Sequence, residues 1–131
     1  MKPIRENSLR VTVVAGSAKT IQGLLAYLSD AGVNSDALKQ LPEPSAVEQL
    51  GDALVIFPDD FEPSTVLSTV ESVQTLRPRV RLLLITSAPQ RYQLRGTIDR
   101  VQPPILLPKP AFGWSILDTI RDLSAHDEEG P

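Results

Sequence analysis

The side chains in this chain that could do chemistry stand where apolar runs stop. Asp59 and Asp60 follow residues 53–57, Thr86 and Ser87 close residues 82–85, Lys109 sits between Pro108 and Pro110, and Ala15-Gly16-Ser17 breaks residues 9–14. Asp59 and Asp60 read as a solvated turn leading into a helix, with Asp60 favourably placed near the positive end of the helix dipole. Residues 16–20, Gly-Ser-Ala-Lys-Thr, resemble the end of a phosphate-binding loop but lack its glycines at the required spacing. A Gly-Ser pair at a helix start can still present backbone N–H groups to an anion. The single histidine, His126, lies in the polar end of the chain, so no Ser/His/Asp relay can be assembled, and with no cysteine there is no thiolate nucleophile or Cys-based metal site. No catalytic constellation, cofactor motif or metal-ligand spacing is found, and no enzymatic activity is expected.

Composition narrows the classes further. A length of 131 residues with 41% hydrophobic content suits one domain with a real core. The formal charge is −3 and no block of Lys or Arg stands out, so neither nucleic acid nor an anionic membrane is an expected direct partner. No signal peptide and no apolar run of membrane-spanning length is present, which makes a cytoplasmic location the expectation.

These residues have to be positioned by alternating strands and helices. The runs at residues 53–57, 82–86 and 105–107 are unbroken and apolar, as strands buried on both faces of a parallel sheet are. Residues 9–14 have the β-branched content of another strand, and a weaker one around 35–38 is interrupted by polar residues. Between them, Ile21, Leu24, Leu25 and Leu28 recur at helical spacing, with Ser17 as N-cap and Gly32 as stop. Residues 45–50 suggest a short helix. Val66, Val70 and Val73 mark another beginning at Pro63, and Trp114, Leu117 and Ile120 a last one. Residues 87–101 hold few apolar anchors, with Gly96 in the middle, and read as a short or loosely held helix. The sum is an α/β, flavodoxin-like doubly wound (βα)5 sandwich, with a parallel five-stranded sheet in the order 2-1-3-4-5. Right-handed crossovers place the first and last helices on one face and the middle three on the other. Residues 1–8 are a lead-in, 9–125 the domain and 126–131 a polar tail.

On these residues the chain resembles the receiver domains of bacterial two-component response regulators. Pro108-Lys109-Pro110 matches the family's Lys-Pro pair, and residues 84–87, Leu-Ile-Thr-Ser, match its apolar run ending in a hydroxyl residue. The resemblance implies that Lys109 and Thr86 would pair with and hydrogen-bond to a phosphoryl group, and that the Lys109–Pro110 bond is cis. It also shows what is missing. The positions of the Mg²⁺-holding acidic pair are Ala15 and Gly16, the phospho-acceptor register falls on Pro58, and Leu106 stands where the family has its aromatic switch. The chain therefore resembles a degenerate receiver, a pseudo-receiver whose vestigial pocket comprises Ala15, Gly16, Pro58, Asp59, Asp60, Thr86 and Lys109, with no Mg²⁺ and no phosphorylation expected.

The implied function is signalling through protein–protein contact on the face made by the fourth helix, fifth strand and fifth helix. Arg91, Tyr92, Arg95, Phe112 and Trp114 are its candidate partner-binding residues, because arginine and aromatic side chains dominate interface energies. The partner would be another signalling protein or a second copy of the chain. Two alternatives stay open: a phosphorylated small molecule bound in the strand-end crevice, and a receiver still phosphorylated on Asp59 or Asp60.

Overall fold

The computed structural model describes residues 9–92, 104–111 and 113–129, with side chains as far as Asp122. In chain order the elements are β1 (Arg10–Val14), α1 (Ala18–Asp30), β2 (Asn34–Leu38), a 3₁₀ helix (Pro44–Gln49) and β3 (Ala53–Ile56). A 3₁₀ turn (Pro58–Asp60), α2 (Pro63–Leu76), β4 (Arg81–Thr86), a second turn (Pro89–Tyr92), β5 (Ile105–Pro108) and α3 (Gly113–Glu129) complete them. All pairings are parallel and the sheet order is β2-β1-β3-β4-β5.

Each face of the sheet is covered as alternation along the strands requires. Val11, Val13, Val55 and Ile85 meet Ile21, Leu24 and Leu28 of α1 and Ile116, Leu117 and Ile120 of α3. On the other side Val14, Leu54, Ile56 and Leu84 meet Val47, α2 through Val66, Val70 and Val73, and Tyr92. First and last helices thus share one face, which is the arrangement right-handed crossovers dictate.

Local chemistry explains where the elements begin and end. Ser17 caps α1 by accepting the Thr20 N–H at 3.3 Å, and Gly32, at φ +81°, supplies the left-handed residue that ends it. Pro63 occupies the first turn of α2, where its missing N–H costs nothing. The β2–β3 crossover is a 3₁₀ helix of 6 residues rather than an α-helix, too short to propagate and opened by Pro44. Arg77, just past α2, donates to the Leu50 carbonyl at 2.6 Å and ties this short helix down.

β2 lacks an apolar signature because polar bonds hold it. Asp36 accepts from the Thr12 hydroxyl at 2.8 Å and from Arg10 Nη1 at 2.9 Å, so an edge strand with exposed Asn34 and Asp36 is pinned to β1. The same Thr12 hydroxyl accepts the Gly51 N–H at 2.9 Å. A Cβ at residue 51 would lie 2.3 Å from the Arg10 carbonyl oxygen, so only glycine fits where the chain enters β3.

α3 continues to Glu129, through the first residues of the expected tail. Ala125, Glu128 and Glu129 favour helix, and the first breaker is Gly130. The expected helix over residues 87–101 is represented by the turn at Pro89–Tyr92; its remainder, with Arg95, lies outside the described residues, as do residues 1–8 and Phe112.

Candidate functional site

The parallel register brings the chemistry-bearing residues to one edge. Val14, Ile56, Leu84 and Leu106 lie side by side across β1, β3, β4 and β5, and Thr86 pairs with Pro108. Extended along β3, that register puts Pro58 opposite Thr86. The strand stops at Ile56 instead, and Pro58 opens a 3₁₀ turn whose Asp60 N–H bonds to the Phe57 carbonyl at 3.2 Å. This tight turn buries Pro58 and moves Asp59 over the ends of β4 and β5.

Asp59 is held there by donors of Thr86, Ser87 and Lys109. Its Oδ1 accepts the Thr86 hydroxyl at 2.5 Å, and its Oδ2 accepts the Ser87 N–H at 2.9 Å and the Ser87 hydroxyl at 3.0 Å. Lys109 Nζ stands 3.3 Å from the same Oδ2, with the carboxylate side chain 23% exposed. The Thr86 hydroxyl is oriented in turn by accepting the Ala88 N–H at 3.0 Å. Partial burial pushes the Asp59 carboxyl up, but the Ser87 N–H, the Thr86 and Ser87 hydroxyls and the Lys109 ammonium together outweigh it and hold the group at about 2, below its ordinary 3.8.

Asp60 is engaged as well. Its Oδ2 accepts the Gly16 N–H at 2.8 Å, and a side chain on Gly16 would come within 3.1 Å of the Asp60 Cβ. The pair is an exposed turn ahead of α2, as expected from sequence, but its carboxylates are bonded to other strand ends. One carboxylate closes the ends of β4 and β5, the other the end of β1.

No protein-family model and no curated protein sequence matches the chain, whereas solved structures do. A response regulator receiver protein from Sinorhizobium medicae superposes with a TM-score of 0.70 at 17% identity, over 88% of this chain and 94% of that one. Chemotaxis protein CheY4 of Vibrio cholerae gives 0.68 at 18%, over 88% and 98%. A protein from Burkholderia pseudomallei described as pilus assembly-related gives 0.66 at 15%, over 95% and 96%. The fold is that of a receiver domain.

Within a receiver fold, the strand-end residues of this chain have an altered chemistry. Ala15 is fully buried and, like Gly16, carries no oxygen to offer a hard cation. Among the described residues no group of three or more His, Cys, Asp or Glu could hold a metal, and the two carboxylates that are present face hydroxyl, amide and ammonium donors. The residues at this edge do not fit Mg²⁺. Lys109 and Thr86 stand together, the Lys109 N–H bonding to the Thr86 carbonyl at 3.2 Å, and the Lys109–Pro110 peptide is cis.

The candidate partner-binding residues divide. Arg91 is exposed and Trp114 is 59% exposed, on the turn after β4 and at the start of α3. Tyr92 is 1% exposed and packs in the cluster with Leu84 and Leu106, so the structure removes it from the contact surface. In this turn of 4 residues the aromatic ring closes the core under the sheet edge. Burial and then the nearby Asp59 charge push the Tyr92 phenol up, with Arg91 opposing; Arg91 is adjacent, yet no bond to the hydroxyl meets hydrogen-bond geometry. Ser87, which supplies two of the four contacts to Asp59, was not singled out as a site residue from sequence. Its signal was the Thr86-Ser87 hydroxyl pair at a strand end.

Proposed function

We propose that this chain is a receiver-like signalling module that works without phosphorylation, by binding a protein partner through the surface around Arg91, β5 and the start of α3. The observation that carries this is the Asp59 carboxylate, which already takes the hydroxyl of Thr86, both donors of Ser87 and the ammonium of Lys109. An incoming phosphoryl group would meet a negative charge already seated among those donors. Pro58, at the acceptor register, has no carboxylate, and Ala15 and Gly16 cannot recruit a metal to offset the repulsion. The chain is accordingly neither an enzyme nor a phosphate relay in this reading. Its state is set by partner contact or abundance.

Exposed Trp114 and Arg91, flanked by Asp118, Arg121 and Asp122, give that surface the aromatic and arginine content of an interface, with mixed charge at the rim. A protein of the same signalling system or a second copy is the partner class. The fold occurs in neighbours named for chemotaxis and for pilus assembly, so it does not choose the pathway. The alternative of a phosphorylated small molecule in the strand-end crevice loses its support, since the Gly16 N–H that would greet the anion is bonded to Asp60.

Mass spectrometry after incubation with acetyl phosphate and Mg²⁺ tests the proposal, with no phosphoryl adduct expected. An aspartyl-phosphate at Asp59 or Asp60 overturns it.

A further inference from the structure

On the side of the sheet covered by α1 and α3, below the strand ends, lies an open cleft of about 590 Å³. Its apolar wall includes Leu24, Phe57, Ile85 and Ile116, and both Lys109 and Asp60 border it. This is the size and lining of small-molecule sites, which are mostly apolar with a few placed polar groups. The two charges make no ion pair with one another among the described residues. Among the described residues each has capacity left: Lys109 directs one donor at Asp59 and carries three, and Asp60 engages Oδ2, on Gly16. An ammonium and a carboxylate, separated and each part-used, at the border of an apolar cleft complement a ligand with the opposite pair of charges and an apolar body.

Gly23 adds an independent observation. It lies inside α1, where glycine is the least favourable residue after proline, and a Cβ there would meet nothing within 4 Å. Gly23 borders the cleft, so a side chain there would be added at its rim.

We infer that this cleft is a binding site for a small zwitterion with an apolar side chain, the chemistry of a free apolar α-amino acid, its carboxylate on Lys109 and its ammonium on Asp60. The side chain then lies against Leu24 and Ile116. The inference does not depend on how the partner surface or Asp59 acts, and its test reads neither.

The experiment is calorimetric or NMR titration of the full chain with L-leucine and L-phenylalanine, beside 2-phenylethylamine, which lacks the carboxylate, and 3-phenylpropionate, which lacks the ammonium. Saturable binding of an amino acid is expected, with both analogues weaker by about threefold or more, because each leaves one charge contact at the cleft's border unmade. Gly23→Leu, a substitution that favours the helix, should abolish binding while the chain stays folded. Asp60→Asn should lower the affinity for phenylalanine to about that of 3-phenylpropionate. Absence of saturation by either amino acid, undiminished binding to Gly23→Leu, or equal affinity for 3-phenylpropionate and phenylalanine in the parent chain would each overturn the assignment.

Discussion

Replacing Asp59 with Asn keeps the size of the side chain and one acceptor oxygen but removes the charge that Thr86, Ser87 and Lys109 converge on. The native state holds this carboxyl at about 2 and the unfolded chain near 3.8, a difference that corresponds to roughly 2.5 kcal/mol at most, at about 1.4 kcal/mol per pH unit. Solvent screening at a partly exposed group reduces it to about 1–2 kcal/mol. Because the folded value lies below the unfolded one, the stabilisation is fully present above about pH 4 and is lost as pH falls through about 2. Asp59→Asn should therefore lower stability by about 1–2 kcal/mol at pH 7, a shift of the urea midpoint of roughly 0.5–1 M. The gap between parent and variant should narrow steadily between pH 4 and pH 2. Urea titrations of both proteins across that range are the assay. A variant as stable as the parent at pH 7, or a gap that persists unchanged at pH 2, would show that the carboxylate does not hold these strand ends together.

Gly51→Ala should destabilise by about 2 kcal/mol or more, since its Cβ meets a backbone carbonyl that cannot move away without opening β1 from β3; thermal melts compared with Gly23→Ala, expected neutral to about 1 kcal/mol stabilising, provide the contrast. Tyr92→Phe should leave stability unchanged or raise it by up to about 1 kcal/mol, because the hydroxyl it removes is buried without a hydrogen bond among the described residues; a clear loss in denaturant titration would mean that the hydroxyl has a partner. Arg91→Ala combined with Trp114→Ala should weaken binding to an identified partner, or self-association, by at least roughly 1 kcal/mol with an unchanged melting curve, whereas substitution at Lys39, remote in sequence from that surface, should not.

The sheet was legible because its central strands are apolar without interruption. Val55 and Ile85 on one face and Leu54 and Leu84 on the other leave no alternation, which in so short a run marks a strand covered on both sides. β2 was faint for the opposite reason: its hold on β1 comes from Asp36 bonded to Thr12 and Arg10, and such long-range polar pairing has no periodic signature. Tyr92 misled because an aromatic beside an arginine in an otherwise polar segment reads as surface. Only the tertiary position of the turn after β4 shows that its ring fills the core next to Leu106, where β5 carries no aromatic of its own.

The site was readable as residue types but not as an arrangement. The sequence places Pro58 at the acceptor register, and that substitution alone suggests a pocket emptied of function. What it does not announce is that proline at this point stops β3 and starts a 3₁₀ turn, and that the turn carries the next carboxylate over Thr86, Ser87 and Lys109. Proline at the register position and a carboxylate over Thr86, Ser87 and Lys109 are thus a single structural event. Thr86 and Lys109 both have a partner in Asp59, and the buried Thr86 hydroxyl would cost stability if left without one. A prediction about the pocket follows directly. Pro58→Asp, which places a carboxylate at the register position, should not by itself create a phospho-acceptor, because Asp59 would still hold the donors and Ala15 and Gly16 would still offer no metal ligand. Only when Asp59→Ala and acidic residues at Ala15 and Gly16 are added should acetyl phosphate with Mg²⁺ yield an adduct by mass spectrometry. Phosphorylation of the single variant Pro58→Asp would show that the Asp59 contacts yield readily, and that the donors are borrowed rather than spent.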